Sequence, residues 1–478
     1  MKSKFFLTAG FVLSLLCAAC SDDSSSITAS DTGKDDGEIA DKTIPENPKV
    51  ETEDGATFET QGREYSENGF EGFESEDGVT YYVESSVSGM YKGEVMVDAA
   101  IDEAYDKMGA TTILPGDYDY IPEGHSVYGS GFNGRTHGLL TASEWNDLDN
   151  WSSWTEILAG EFSSKTSYWD FNPRTLVAVQ VVDSKEAGSA NVSVELLKGD
   201  KVEFATKTDN SGRAYCWAGL FEGNTEEELK AEDFSLKING KVSEAAVKFT
   251  QTSDDSLNVN VITSDVKQPD DKADIAFIVD ATGSMGDEIR FLQSDLKYII
   301  DHAYSETKVA LRTAVEFYRD ESDHYLIKGK DFSTDIANTQ AFIDEQHASG
   351  GGDYPEAVHS ALEAALQNFS WNESARARIA FMILDAPAHH QDSVITSLQN
   401  SITHFAKNGI KLIPVAASGV DKDTESMLRF FDIVTGGTYV FITDDSGIGG
   451  EHIEASVGDH EVEKLADLMI RLIKKYVE

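Results

Sequence analysis

Three short stretches of the chain place oxygen-bearing side chains where a divalent cation can be held. Asp280-Ala281-Thr282-Gly283-Ser284 offers one carboxylate and two hydroxyls at alternate positions, directly after the apolar run Ile275–Val279. Ser349-Gly350-Gly351-Gly352-Asp353-Tyr354-Pro355-Glu356 is a glycine-rich loop that supplies Asp353 and opens a helix, with Pro355 in the favoured first turn. Asp385 closes the apolar run Ile379–Leu384. Oxygen ligands of this kind suit a hard cation, Mg²⁺ first and Mn²⁺ or Ca²⁺ after it. His389 and His390 follow Asp385, but no Cys or further His stands at ligand spacing, so they read as surface or supporting histidines.

For Asp280, Thr282, Ser284, Asp353 and Asp385 to meet, three loops must lie side by side, and the surrounding pattern provides for that. Apolar runs at 275–279, 309–317, 379–384, 410–416 and 438–442 are continuous rather than alternating. Helical patterns separate them at 335–346, 355–367, 394–407 and 462–476, and Ile289, Leu292, Leu296 and Ile299 fall on one helical face. Continuous apolar strands alternating with helices predict a parallel sheet covered on both faces, a doubly wound Rossmann-like α/β domain over residues 273–478. In such a fold ligands bind beyond the carboxyl ends of the strands.

Strand-Asp-x-Thr-x-Ser, a glycine-rich middle loop and a strand-terminal Asp together resemble the metal-ion-dependent adhesion site of a von Willebrand factor type A (VWA) domain. The resemblance implies that Asp280, Thr282, Ser284 and Asp385 hold a divalent cation. The family's middle-loop Thr is absent: Gly352 falls at its place, and Asp353 beside it is taken to substitute, directly or through water. The implied mechanism is binding rather than turnover, with one coordination position left for an Asp or Glu carboxylate of a partner protein. The segment Thr435–Gly449 is similar to the last strand and loop of some bacterial members, where Asp444 and Asp445 read as a solvated loop.

The composition narrows the partners. In 478 residues, 39 Lys plus Arg stand against 85 Asp plus Glu, a formal net charge of −46, which repels phosphate backbones and argues against nucleic-acid binding. Lys2 and Lys4 followed by the apolar Phe5–Ala19 read as an export signal over 1–19. Leu16-Cys17-Ala18-Ala19-Cys20-Ser21 resembles a bacterial lipoprotein processing box, with its Leu one place early, which implies lipidation of Cys20. The expected location is the bacterial cell envelope, anchored in the outer membrane by lipid and exposed at the surface. Removal of Cys17 and acylation of Cys20 leave Cys216 without an intramolecular partner, and it reads as a buried strand residue.

The remaining chain divides by pattern. Residues 20–72 form an acidic Ser/Asp/Glu-rich tether, expected to be disordered, and 73–170 a Gly-rich and aromatic segment. Short alternating runs over 171–265 predict an all-β sandwich, and Val181–Ala214 is similar to carboxypeptidase-regulatory-like, immunoglobulin-like modules. Residues 266–272 read as a linker. The segment with Trp145, Trp151 and Trp154 is expected to pack on the next domain. Three rivals to adhesion were weighed. An aspartyl-phosphate phosphatase needs a downstream acid pair that Asp385-Ala386-Pro387-Ala388 does not supply. Gly129-Ser130-Gly131-Phe132-Asn133-Gly134 fits a dinucleotide fingerprint but follows no strand. A structural surface protein whose cation only staples loops uses the same residues as adhesion.

Overall fold

The run Ile275–Val279 has every side chain buried, and the reason is its place at the centre of a nine-stranded sheet. The computed structural model describes residues 55–61, 140–222, 229–251, 257–352, 354–446 and 454–478, and the backbone of a hairpin formed by β2 (Phe70–Glu74) and β3 (Thr80–Glu84). The central strand β12 (Asp270–Asp280) is paired in parallel with β13 (Ala310–Tyr318) and β15 (Ala375–Leu384). The parallel ladder continues through β16 (Ile410–Ala416) to β17 (Tyr439–Thr443). Beside β13, β14 (Tyr325–Ser333) runs antiparallel.

Alternation along β12 divides the apolar surface into two cores. Ile275, Phe277 and Val279 face α3 (Gly286–Thr307) and α8 (Leu465–Val477), whose Leu292, Leu296, Leu468 and Leu472 are fully buried. Ala276 and Ile278 face α5 (Val358–Asn368), α6 (Asp392–Lys407) and α7 (Lys422–Thr435). The helix α4 (Ile336–Asp344) is capped by Asp335, which accepts hydrogen bonds from the amides of Ala337 and Asn338. The doubly wound sheet expected over the C-terminal part is therefore present.

Both sheet edges come from far upstream. β1 (Thr57–Gln61), within the stretch read as tether, pairs antiparallel with β14. β4 (Thr141–Trp145) pairs antiparallel with β17, and β18 (Glu463–Lys464) closes that edge. The stretch read as a linker enters the sheet too, because β12 begins at Asp270. The helix α7 and the strand β14 add to the elements expected above. In α7 Glu425, Arg429 and Asp432 fall on one side and Met427, Phe430, Phe431 and Val434 on the other, yet the whole of 424–435 is buried, and β14 carries Lys328, Lys330 and Asp331 among its apolar residues.

Residues 171–265 form two small sheets. In one, β5 (Thr175–Val182) pairs antiparallel with β8 (Arg213–Ala218) and in parallel with β11 (Val259–Thr263). In the other, β6 (Ser193–Lys198) lies between β7 (Lys201–Lys207) and β9 (Phe234–Ile238), with β10 (Lys241–Val242) outermost. The parallel β11–β5 pair departs from a purely antiparallel expectation. Cys216 lies fully buried on β8, and burial pushes its thiol well up, out of the reactive range.

One continuous apolar cluster joins these sheets to the helices of the large one. The upstream tryptophans sit in it: Trp151 lies 6.1 Å from Trp217, and Trp154 meets Phe430 of α7 edge-on at 6.0 Å. Between them run α1 (Trp151–Ala159) and α2 (Lys165–Tyr168). Among the described residues no helix is long and apolar enough to cross a membrane. The fingerprint-like segment 129–134 lies outside the described residues.

Candidate metal centre

β12 and β15 are neighbours in parallel register, Val279 opposite Ile383, so their carboxyl ends deliver Asp280 and Asp385 to one edge of the sheet. Asp280 is fully buried. Its Oδ1 accepts the Thr282 amide at 2.8 Å and the Thr282 hydroxyl at 2.7 Å, folding the loop back on the strand end. Its Oδ2 is buried with no hydrogen-bond partner. Ser284, exposed, donates to Asp385. The α3 helix begins at Gly286, and its amino-terminal dipole favours negative charge there.

Backbone hydrogen bonds stitch the three loops together. Ser349 N donates to Ala281 O at 3.0 Å, Gly283 N to Gly350 O at 3.2 Å, and Glu356 N to Pro387 O at 2.9 Å. The middle loop can approach this closely because Gly350 and Gly351 take φ of +82° and +74°, and a Cβ on Gly350 would lie 2.2 Å from Asp323 Oδ1. Asp353 lies outside the described residues. A carboxylate that the sequence reading left out takes part instead: Glu356 is 3 % exposed, its Oε2 has no partner, and its Oε1 points at Gly351 beside Thr282. Its signal in the sequence was its place in the first turn after the glycines, but only the loop closure buries it.

The electrostatics are those of crowded acids. Burial, then Asp385, pushes the Asp280 carboxyl up to about 7, against the hydrogen bonds from Thr282. Burial, then Asp280, Asp320, Asp323 and Asp385, pushes Glu356 up to about 10. Asp385 is raised by burial, less the bond from Ser284. Arg319 is close, but its guanidinium donates to the carbonyls of Ala281 (3.2 Å) and His347 (2.9 Å). Oxygen-only donors, two of them buried and unpartnered, fit a hard cation. Among the described residues no three His, Cys, Asp or Glu side chains gather as a metal-binding group, so hydroxyls are needed to complete any such set.

One comparison with known proteins falls on this part of the chain. Residues 274–421 match the family described as von Willebrand factor A domain. The chain carries a VWA domain. An ariadne-like RING finger protein of Acanthamoeba polyphaga mimivirus is 33% identical over 120 residues, 25% of this chain and 12% of that protein. The alpha-protein kinase vwkA of Dictyostelium discoideum is 24% identical over 305 residues, 58% of this chain and 46% of that one. The chain thus spans less than half the length of either relative. Among solved structures, proximal thread matrix protein 1 of the mussel byssus aligns at a TM-score of 0.31 with 16% identity, over 45% of this chain and 54% of that one. The pilus adhesin SpaC of Lactobacillus rhamnosus GG aligns at 0.29 with 10% identity, over 43% and 30%.

The other residues singled out around the VWA site have structural partners. His389 Nε2 lies 2.7 Å from Asp320 Oδ1, and His390 stacks on Tyr168 at 3.8 Å, so neither turns toward Asp280 as a ligand. Asp320 is held below the usual range: burial raises it, and the His389 hydrogen bond with nearby backbone amides lowers it more. Asp444 and Asp445 are exposed in a short turn after β17, next to residues outside the description.

Proposed function

We propose that this protein is a lipid-anchored, extracytoplasmic binding protein whose VWA domain takes a divalent cation, Mg²⁺ first, and uses it to capture a carboxylate of a partner protein. The observation that carries this reading is the pair of buried carboxylate oxygens, Asp280 Oδ2 and Glu356 Oε2, left unpartnered where three loops converge. Asp280, Thr282, Ser284 and Asp385 would hold the ion, with Asp353 of the middle loop, and Glu356 would act on it through water. When bound, the cation supplies positive charge that attracts an Asp or Glu side chain. The chain's own residues do the rest. Thr282 and Ser284 orient the two strand-end acids, the stitched loops fix their spacing, and α3 presents its amino end. The reading is of binding, with no catalytic residue assigned.

In this reading Cys20 carries the lipid, residues before β1 form the tether, and the two small sheets are an immunoglobulin-like support. That support shares its apolar core with the VWA domain and holds it rigidly. Titration of Mg²⁺ and Mn²⁺ into the full chain by calorimetry tests the centre. Binding that disappears in Asp280→Ala and weakens in Glu356→Gln is expected, and a wild-type chain that takes up neither ion refutes it. Capture of a carboxylate-bearing partner that survives chelation would leave the cation as a loop staple only.

A further inference from the structure

The edge strand β1 is more than a cover. Asp331 N donates to Ala56 O at 2.8 Å and Gly55 N to Phe332 O at 3.2 Å, and the register runs from Thr57 opposite Lys330 to Gln61 opposite Tyr325. Phe58 stands opposite Gly329 and fills the space that a side chain there would take: a Cβ on Gly329 would lie 2.2 Å from Phe58 Cζ. Phe369 meets the ring edge-on at 5.9 Å, with Phe332 and Trp371 behind it. This is strand addition with a side-chain socket, a recognised mode of peptide docking.

The next residue along that row is Glu316, opposite Gly329 on β13 and so on the same face. It is fully buried, and neither carboxylate oxygen has a partner. A buried carboxyl without hydrogen bonds opposes the closed arrangement. Docking of β1 thus places ladder bonds and an aromatic knob one strand away from a buried acid without hydrogen bonds.

The hairpin that receives β1 also reaches the metal centre. Arg319 stacks on Tyr325, the register partner of Gln61, at 4.3 Å, and donates to Ala281 O in the first loop and His347 O ahead of the middle loop. Asp323 accepts the Gly351 amide at 2.9 Å, and Asp320 holds His389 beyond Asp385. The 319–324 turn thus touches all three loops.

We propose that residues 55–61 are a releasable latch on the metal centre: docked on β14, they hold the 319–324 turn against the three loops, and released, they slacken it. This rests on the cation reading of the site. A load applied to the chain at Cys20 reaches β1 before any other described element, so tension on an anchor is a natural release signal. The two positions of β1 are the two-state element, and the turn is the contiguous link.

The test uses the full chain, with Mg²⁺ titration and backbone amide exchange read over Tyr325–Ser333. Phe58→Ser removes the knob, and Gly329→Ala separately blocks the socket. Both are expected to speed exchange in β14 and weaken Mg²⁺ affinity about tenfold. A synthetic peptide of residues 55–61 in excess restores both readouts in Phe58→Ser, and the same peptide with Ser in place of Phe does not. Faster exchange with unchanged Mg²⁺ affinity overturns the latch while leaving the cation site standing. Unchanged exchange in both variants overturns it as well. A wild-type chain that binds no Mg²⁺ removes the cation reading, and the coupling with it, while exchange still reports docking.

Discussion

Two clusters of buried acid lie within this chain, and they are neutralised in opposite ways. Along α7, Asp147 and Glu425 are fully buried, and Arg429, itself 1 % exposed, bonds Asp147 through Nε at 3.0 Å and also through its second nitrogen. Lys422 meets Glu425 at 2.8 Å, and the Asp432 carboxyl is driven well up by burial and by Asp147. Arg429 and Lys422 thus face Asp147 and Glu425 directly, while the third acid, Asp432, is pushed up by its burial. At the strand ends Asp280, Glu356 and Asp385 crowd together with no Lys or Arg bonded to any of them among the hydrogen bonds and ion pairs described. A cluster completed by the chain's own cations is architecture, because Asp147 belongs to the upstream segment and pins it to the VWA helix. A cluster left short of positive charge is where the proposed cation would sit.

The sharpest way to break the contrast is to remove the internal cation. Arg429→Leu strands Asp147 and Glu425 in the interior and should cost about 3–5 kcal/mol in denaturant unfolding. Asp147→Leu should be similarly harmful, and the double variant should recover part of the loss. Equal, additive losses would show that the pair does not interact.

The second prediction concerns Glu316, which shares the unsatisfied character of the metal-centre acids. Burial holds its carboxyl well above the usual glutamate range, so above that range the folded chain keeps a proton that the unfolded chain gives up. The folded state then binds more protons, and stability falls as pH rises from about 4.5 toward the raised value. Relative to Glu316→Gln, the wild type should be less stable at pH 8 than at pH 5. Urea unfolding at the two pH values measures it, and parallel profiles would refute it.

The smallest expected effect sharpens the comparison most. Asp280→Asn abolishes Mg²⁺ uptake in the proposed centre, yet in chelator it should leave stability unchanged or raise it by about 1 kcal/mol. Asp280 is pushed up to about 7, so at pH 8 its ionised form opposes folding, and Asn removes that charge. A destabilisation like that of Arg429→Leu would mean that Asp280 is structural too.

The legibility of the site followed the range of the interactions that make it. Asp280, Thr282 and Ser284 could be read because a strand, an alternate spacing and a turn are local facts, and the structure bonds Thr282 to Asp280 within two residues. Asp385 could be read as the end of an apolar run. Glu356 could not, because its burial depends on Gly351 in a left-handed conformation and on the bond from its amide to Pro387. The spacing of α7 was legible, with Met427, Phe430, Phe431 and Val434 against Glu425, Arg429 and Asp432, but not that this polar side is buried too, because Asp147 reaches Arg429 from far upstream.

What the sequence determined by itself was the alternation of continuous apolar strands with helices, the acid and hydroxyls at the end of β12, and the strong net negative charge. Each depends on composition or on neighbours a few residues apart. The tertiary structure decided which distant pieces complete the sheet and which acids end up uncompensated. β4 pairs with β17 and β1 with β14 across roughly 300 and 270 residues, and Asp147 finds Arg429 at a separation of 282. Strands this short carry too little pattern to announce such partners. Their register is set by the faces they bury, and those faces exist only once the central strands have assembled.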